Sequence, residues 1–192
     1  LGKAVTIASI YTGADVSNYT IIDQATTTAS INKRLVSVLA GGVSKVYDGT
    51  TDMNGVRIAL ASVNGASASG VVSGDTVDVS GTGSFSSANV SRDANGTVLA
   101  NKSYTLADLQ LSGASTNNYM IVGGATSITG TDGRIDPKTL TLTGFAAENK
   151  IYNGNNLATI ANAGTLIGVV GTDAVTASNT GATFSDQNVA IG

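Results

Sequence analysis

The chain contains no cysteine, no histidine and no tryptophan, and only one proline. Without thiols there are no disulfides and no cysteine nucleophile. Without imidazole there is no Ser-His-Asp triad, no histidine general base and none of the usual ligand sets of structural zinc. A disulfide-free chain still suits an oxidising compartment when its domains are large enough to stand on their own cores, so the missing cysteine does not fix the compartment. Charge is scarce too: 12% of the residues are Asp, Glu, Lys or Arg, and the net charge is −3. Ten basic residues spread along the chain, of which Lys33 and Arg34 alone are adjacent, with 5% aromatics, give neither a phosphate-tracking patch nor a stacking platform, which argues against nucleic acid. No apolar run approaches the roughly 18 residues of a membrane span, so membrane insertion is not expected. Leu1 opens in mid-repeat, so the lack of a signal peptide there decides nothing.

What is present reads as β-structure. The chain is 42% hydrophobic with 24 glycines and many Ser, Thr, Ala and Asn, which is not a disordered composition. Thr139-Leu140-Thr141-Leu142-Thr143 and Thr76-Val77-Asp78-Val79 alternate apolar and hydroxyl or acidic residues, the period of a half-buried strand. Asp48-Gly49, Asn95-Gly96, Asp132-Gly133 and Asn153-Gly154 are turn formers between such runs. Helix signals are nearly absent. About seven short strands per unit of about 100 residues predict an all-β chain of tandem immunoglobulin-like antiparallel β-sandwich repeats, with β-grasp-like repeats as the alternative.

The repeat is visible in the sequence itself. Lys45-Val46-Tyr47-Asp48-Gly49 returns as Lys150-Ile151-Tyr152-Asn153-Gly154, 105 residues later. Gly13-Ala14 through Asn18-Tyr19 matches Gly113-Ala114 through Asn118-Tyr119, and Gly70-Val71-Val72 with Asp75 matches Gly168-Val169-Val170 with Asp173. Phe85, Asn89 and Val90 match Phe184, Asn188 and Val189. The offsets drift between matched segments because loops accept insertions that strands do not. On this phase, residues 1–33 are the closing strands of one repeat, 34–136 a complete repeat and 137–192 the opening strands of another. Such halves expose unpaired edges, so head-to-tail completion by a neighbouring repeat or chain is expected.

The tyrosines carry the recurring pattern. Tyr19 and Tyr119 each follow Asn and precede an apolar strand, the place of a tyrosine whose hydroxyl ties a sandwich corner to nearby backbone. Tyr47 and Tyr152 precede turns, with the ring expected in the core and the hydroxyl in water. Asp48 gives way to Asn153 in the second copy, which suits a turn former and not a catalytic acid.

Four spaced motifs, Lys45–Thr51, Gly70–Asp75, Phe85 with Asn89-Val90, and Gly113–Tyr119, resemble the YDG-type repeat domain of very large bacterial surface exoproteins of the filamentous-haemagglutinin kind. The resemblance covers essentially the whole chain. It implies an extracellular or cell-surface location in Gram-negative bacteria and a role in adhesive stalks or biofilm-matrix fibres. It further implies neighbouring repeats of the same kind as partners, with host or matrix glycans as the alternative ligands.

Three chemical readings compete with a structural one. Asp93-Ala94-Asn95-Gly96 begins like a calcium loop but lacks the later acidic ligand; Asp75 and Asp173 recur and are the other calcium candidates. Lys45 with Asn118, and Lys150 with Asn18, are candidates for a lysine–asparagine isopeptide bond, which requires a buried, deprotonated lysine beside a carboxylic acid. Enzymatic activity has no support, because no residue set joins a nucleophile, a base and an oxyanion donor; no catalytic residue and no organic cofactor are expected. A ligand site would break the repeat, and the segments 54–69 and 91–100 are the places where that happens.

Overall fold

A computed structural model of the chain describes residues 2–24, 26–63 and 69–189. The structure is all-β, as the alternation predicts. Its strands are β1 (Lys3–Thr6), β2 (Thr26–Ala29), β3 (Arg34–Gly41), β4 (Ser44–Val46), β5 (Arg57–Ser62), β6 (Asp78–Phe85), β7 (Lys102–Ser112), β8 (Tyr119–Ile121), β9 (Ile128–Asp136), β10 (Thr141–Ala147), β11 (Leu157–Ala158), β12 (Ile160–Ile167) and β13 (Ala182–Thr183). Helical geometry among the described residues is limited to three-residue 3-10 turns such as Val16–Asn18 and Thr116–Asn118, and no helix is long and apolar enough to cross a membrane.

Contacts divide the chain into two compact units, neither of them a contiguous stretch. The first holds residues 1–39, 58–80 and 109–126. In it β1 and β2 form an antiparallel ribbon, Lys3 opposite Ala29 and Thr6 opposite Thr26. A three-stranded sheet runs in the order β5-β3-β8. Val36, Val38, Leu109, Tyr119 and Ile121 are the buried apolar residues of this unit, and Val36 and Val38 lie two apart on β3, as one face of a strand requires.

The second unit holds residues 40–57, 81–108 and 127–192. Its main sheet runs β4-β9-β7-β6, and β10-β12 and β11-β13 form separate antiparallel pairs. Its core is Val43, Met53, Phe85, Tyr104, Leu106 and Ile135. On β7, Lys102, Tyr104 and Leu106 share the buried face. Tyr104 lies opposite Gly130 of β9, and a Cβ at Gly130 would fall on the tyrosine ring; the glycine makes room for it.

Two pairings correct the antiparallel expectation. β3 pairs with β8 in parallel, Arg34 beside Tyr119 and Val36 beside Ile121. β4 pairs with β9 in parallel, Ser44 beside Arg134 and Val46 beside Asp136. In both, an early strand lies beside one that arrives more than 80 residues later in the sequence. Parallel neighbours need such long connections, and an alternation pattern reports which face of a strand is buried, never the direction of its partner.

Candidate functional site

The signature lysine organises its own loop. Lys45 is the middle residue of β4, with a side chain 9% exposed, and four oxygens lie within 3.0 Å of Nζ: Asp48 Oδ1 at 2.7 Å, Thr50 O at 2.8 Å, Asp52 O at 2.9 Å and Thr50 Oγ1 at 3.0 Å. The Thr50 N–H also donates to Asp48 Oδ1, at 2.9 Å. With Lys45 and that N–H as donors, the Asp48 carboxyl is held at about 2. The second copy builds the same cage: Lys150 Nζ donates to Asn153 Oδ1, Asn155 O, Asn155 Oδ1 and Leu157 O at 2.5–3.1 Å. The cage needs an acceptor oxygen at the fourth signature position, not a charge, which is why Asn153 can stand where Asp48 does.

The isopeptide candidates Lys45 and Lys150 fall in these cages, where each lysine donates to oxygens of its own loop. Neither Asn118 nor Asn18 is among the partners of Lys45 or Lys150; both sit in 3-10 turns, Thr116–Asn118 and Val16–Asn18.

The tyrosines separate into partnered and exposed pairs. Tyr119 is 2% exposed; its hydroxyl donates to Asp75 Oδ2 at 2.6 Å and accepts from the Val72 N–H at 2.9 Å, while Ser115 Oγ donates to Asp75 Oδ1 at 3.1 Å. Burial first, then Asp75, raises the pKa of this phenol. The backbone tie expected of it exists, but it reaches 47 residues along the chain and not to a nearby corner. Tyr19 does not share the role: it is 73% exposed. Tyr47 is half-buried, and its hydroxyl donates to Asp173 Oδ2 at 2.8 Å at an exposed position; this bond is the main cause of its raised pKa. Tyr152 is 57% exposed, so neither signature tyrosine puts its ring in a core.

Asp173 is the counterpart of Asp75. The signature loop of the complete repeat thus touches the repeat that follows it. Gly49 reinforces the contact: at φ +81 it sits so close to Val170 that a Cβ would lie 2.9 Å from Cγ1. Gly154 has the same φ sign, +77, and nothing within 4 Å of its Cβ position. Beside this joint lies a cavity of about 220 Å³, lined mainly by apolar side chains that include Val90, Leu140, Val169 and Val170, with Tyr47, Lys138 and Asp173 as its polar groups.

The calcium candidates are all engaged in turns or tyrosine contacts. Asp93 Oδ1 accepts from the N–H groups of Asn95 and Thr97 at 2.9 and 2.8 Å, closing a small hairpin with Arg92 opposite Val98. Asn95 contributes its backbone N–H there, Asp75 holds Tyr119 and Ser115, and Asp173 holds Tyr47. Among the described residues no three acidic side chains gather to hold a metal. Of the two repeat-breaking segments, 91–100 contains this hairpin, and residues 64–68 of the other lie outside the described residues.

Sequence reasoning missed Ser115 and the tyrosine partners of Asp75 and Asp173; the N–H groups of these two aspartates close turns on Val72 O and Val170 O, each at 3.0 Å. The signal was available in the recurrence of the Gly-Val-Val segment with its aspartate, but nothing local says that this aspartate meets a tyrosine from a distant strand.

No curated protein and no solved structure matches the chain. The sequence model of the YDG domain matches it twice, over residues 32–129 and 136–192, so that both signature loops and both Gly-Val-Val segments fall inside a match. The chain belongs to the YDG domain family.

Proposed function

We propose that this chain is a structural spacer of an extracellular, cell-surface fibre, in which successive YDG repeats are joined end to end and complete one another. The observation that carries the reading is the joint: Tyr47 of one repeat donates to Asp173 of the next, and Gly49 packs on Val170. The signature therefore serves continuity between repeats, with Lys45 holding the loop that presents Tyr47. Within the complete repeat, early strands lie parallel to late ones, a closure closer to the β-grasp-like arrangement than to an immunoglobulin sandwich.

Low charge and a surface rich in hydroxyls suit a protease-resistant rod better than a catalyst. Electron microscopy of tandem arrays tests the reading. Beaded rods whose length grows by one bead per repeat are expected; collapsed globules of variable spacing refute it. A carbohydrate- or protein-binding adhesin module is the second reading, favoured by the exposed rings of Tyr19 and Tyr152. Glycan-array binding that is lost on changing these tyrosines would replace the spacer reading with it.

A further inference from the structure

The cavity beside Asp173 has a filled counterpart within the same chain. The alternation Val36-Ser37-Val38 aligns with Leu140-Thr141-Leu142, which places Arg34 opposite Lys138 in the two family matches. Lys138, Leu140, Val170 and Asp173 line the cavity; Arg34, Val36, Val72 and Asp75 are their counterparts in the complete repeat. There the space is taken by Tyr119 and β8: Tyr119 pairs beside Arg34, its ring is buried, and its hydroxyl holds Asp75 and Val72.

The sheets record the same difference. β3 is flanked on both sides, in the order β5-β3-β8. Its counterpart β10 pairs with β12 alone, and the counterparts of Arg34–Val36, residues 138–140, lie outside any strand. Leu142 is 41% exposed where its counterpart Val38 is 7% exposed.

A segment with the sequence and shape of the Tyr119 turn recurs elsewhere in the chain. Val16–Asn18 is a 3-10 turn followed by an extended Tyr19 at φ −125, ψ 142; Thr116–Asn118 is the same turn followed by Tyr119 at φ −123, ψ 158. Tyr19 and Ile21 are 73% and 45% exposed, whereas Tyr119 and Ile121 are 2% and 8% exposed.

We infer that the cavity beside Asp173 is a socket for residues 13–22 of a second copy of this chain, which enters as a parallel strand along residues 138–140. The register follows from the complete repeat: Tyr19 beside Lys138, Thr20 beside Thr139 and Ile21 beside Leu140. The Tyr19 hydroxyl takes the Asp173 carboxylate now held by Tyr47 and also reaches the Val170 N–H, as Tyr119 does with Asp75 and Val72. Because the socket and the inserted strand sit at different places in the chain, the contact is heterologous and grows a filament without closing. One residue weakens it. Ser115, which donates to Asp75, is replaced in the inserted strand by Asp15, which would face Asp173 with a like charge, Lys138 being the nearby cation.

This inference rests on the spacer reading and can fail without it. The chain has no cysteine, so engineered thiols report cleanly. Full-length Thr20→Cys and Thr139→Cys chains are mixed and oxidised. A disulfide between the two variants is expected, and its loss is expected when Thr143→Cys replaces Thr139→Cys. Sedimentation of the wild-type chain at rising concentration should show open-ended association. Asp15→Ser should strengthen that association by on the order of tenfold, and Asp173→Ala should weaken it similarly. A chain that stays monomeric, or a cross-link equally strong at position 143, overturns the inference. Glycan binding through Tyr19 or Tyr152 would instead refute the spacer reading while leaving the cross-link intact.

Discussion

The two signature glycines form a matched pair whose mutation separates backbone strain from packing at the joint. Gly49 and Gly154 have φ of +81 and +77, so alanine at either costs about 1–2 kcal/mol for a left-handed backbone. Only Gly49→Ala adds a collision, with Val170 Cγ1 at 2.9 Å where ordinary contact begins at 3.4 Å. Overpacking typically costs about 1–3 kcal/mol, and a half-buried Val170 that can give by a few tenths of an ångström places this case near 1 kcal/mol. The expected totals are about 2–3 kcal/mol for Gly49→Ala and about 1–2 kcal/mol for Gly154→Ala. Amide hydrogen exchange reads both loops locally: the Tyr47 N–H, which donates to Asp136 O at 2.8 Å, and the Leu157 N–H, which donates to Asn155 Oδ1 at 3.1 Å. Protection should fall about fivefold further at Tyr47 than at Leu157, each against its own wild-type value. Gly49→Ala should also let the Tyr47 phenol return toward its ordinary pKa, because Asp173 moves away with Val170. Equal losses in the two loops, or an unchanged Tyr47, would refute the joint.

Three further outcomes are expected. Leu106→Ala, at a residue 0% exposed, should cost about 2–5 kcal/mol in urea unfolding, whereas Leu157→Ala, at 65% exposure, should stay within about 0.5 kcal/mol. The Asp48 carboxyl, lowered from 3.8 to about 2, contributes stability that is complete above pH 3.8 and lost as pH falls toward 2. Carboxyl shifts in NMR should show this, Lys45→Met should return Asp48 toward 3.8, and the Asn153 loop should not titrate. Tyr104 and Tyr119, raised chiefly by burial, and Tyr47, raised chiefly by Asp173, keep their protons more firmly when folded. Their contribution is therefore complete below pH 10 and lost as pH rises past their folded values; Tyr→Phe difference titrations should place all three above the ordinary phenol.

Some residues were legible one by one. Asn95-Gly96 reads as a turn, and the structure closes a hairpin there on the Asp93 carboxylate. Lys45 and Lys150 recur at one spacing, and their cages use only oxygens within seven residues, so short-range sequence could have suggested them. The partners of Tyr119 were not legible, because recurrence says that a residue matters without saying that its hydroxyl meets Asp75 and the Val72 N–H.

The sequence by itself determined strands, turns, the phase of the repeat and the absence of thiol and imidazole chemistry, because alternation, turn residues and composition act over a few neighbours. Tertiary structure alone decided the parallel partners of β3 and β4, the pairing of Tyr119 with Asp75 and of Tyr47 with Asp173, and the open place beside β10. Tyr19 and Tyr119 share a motif and a backbone conformation, yet one is exposed and the other buried. Burial belongs to what the rest of the chain brings alongside, and that contact is made across about 50 to 130 residues, beyond the reach of any local pattern.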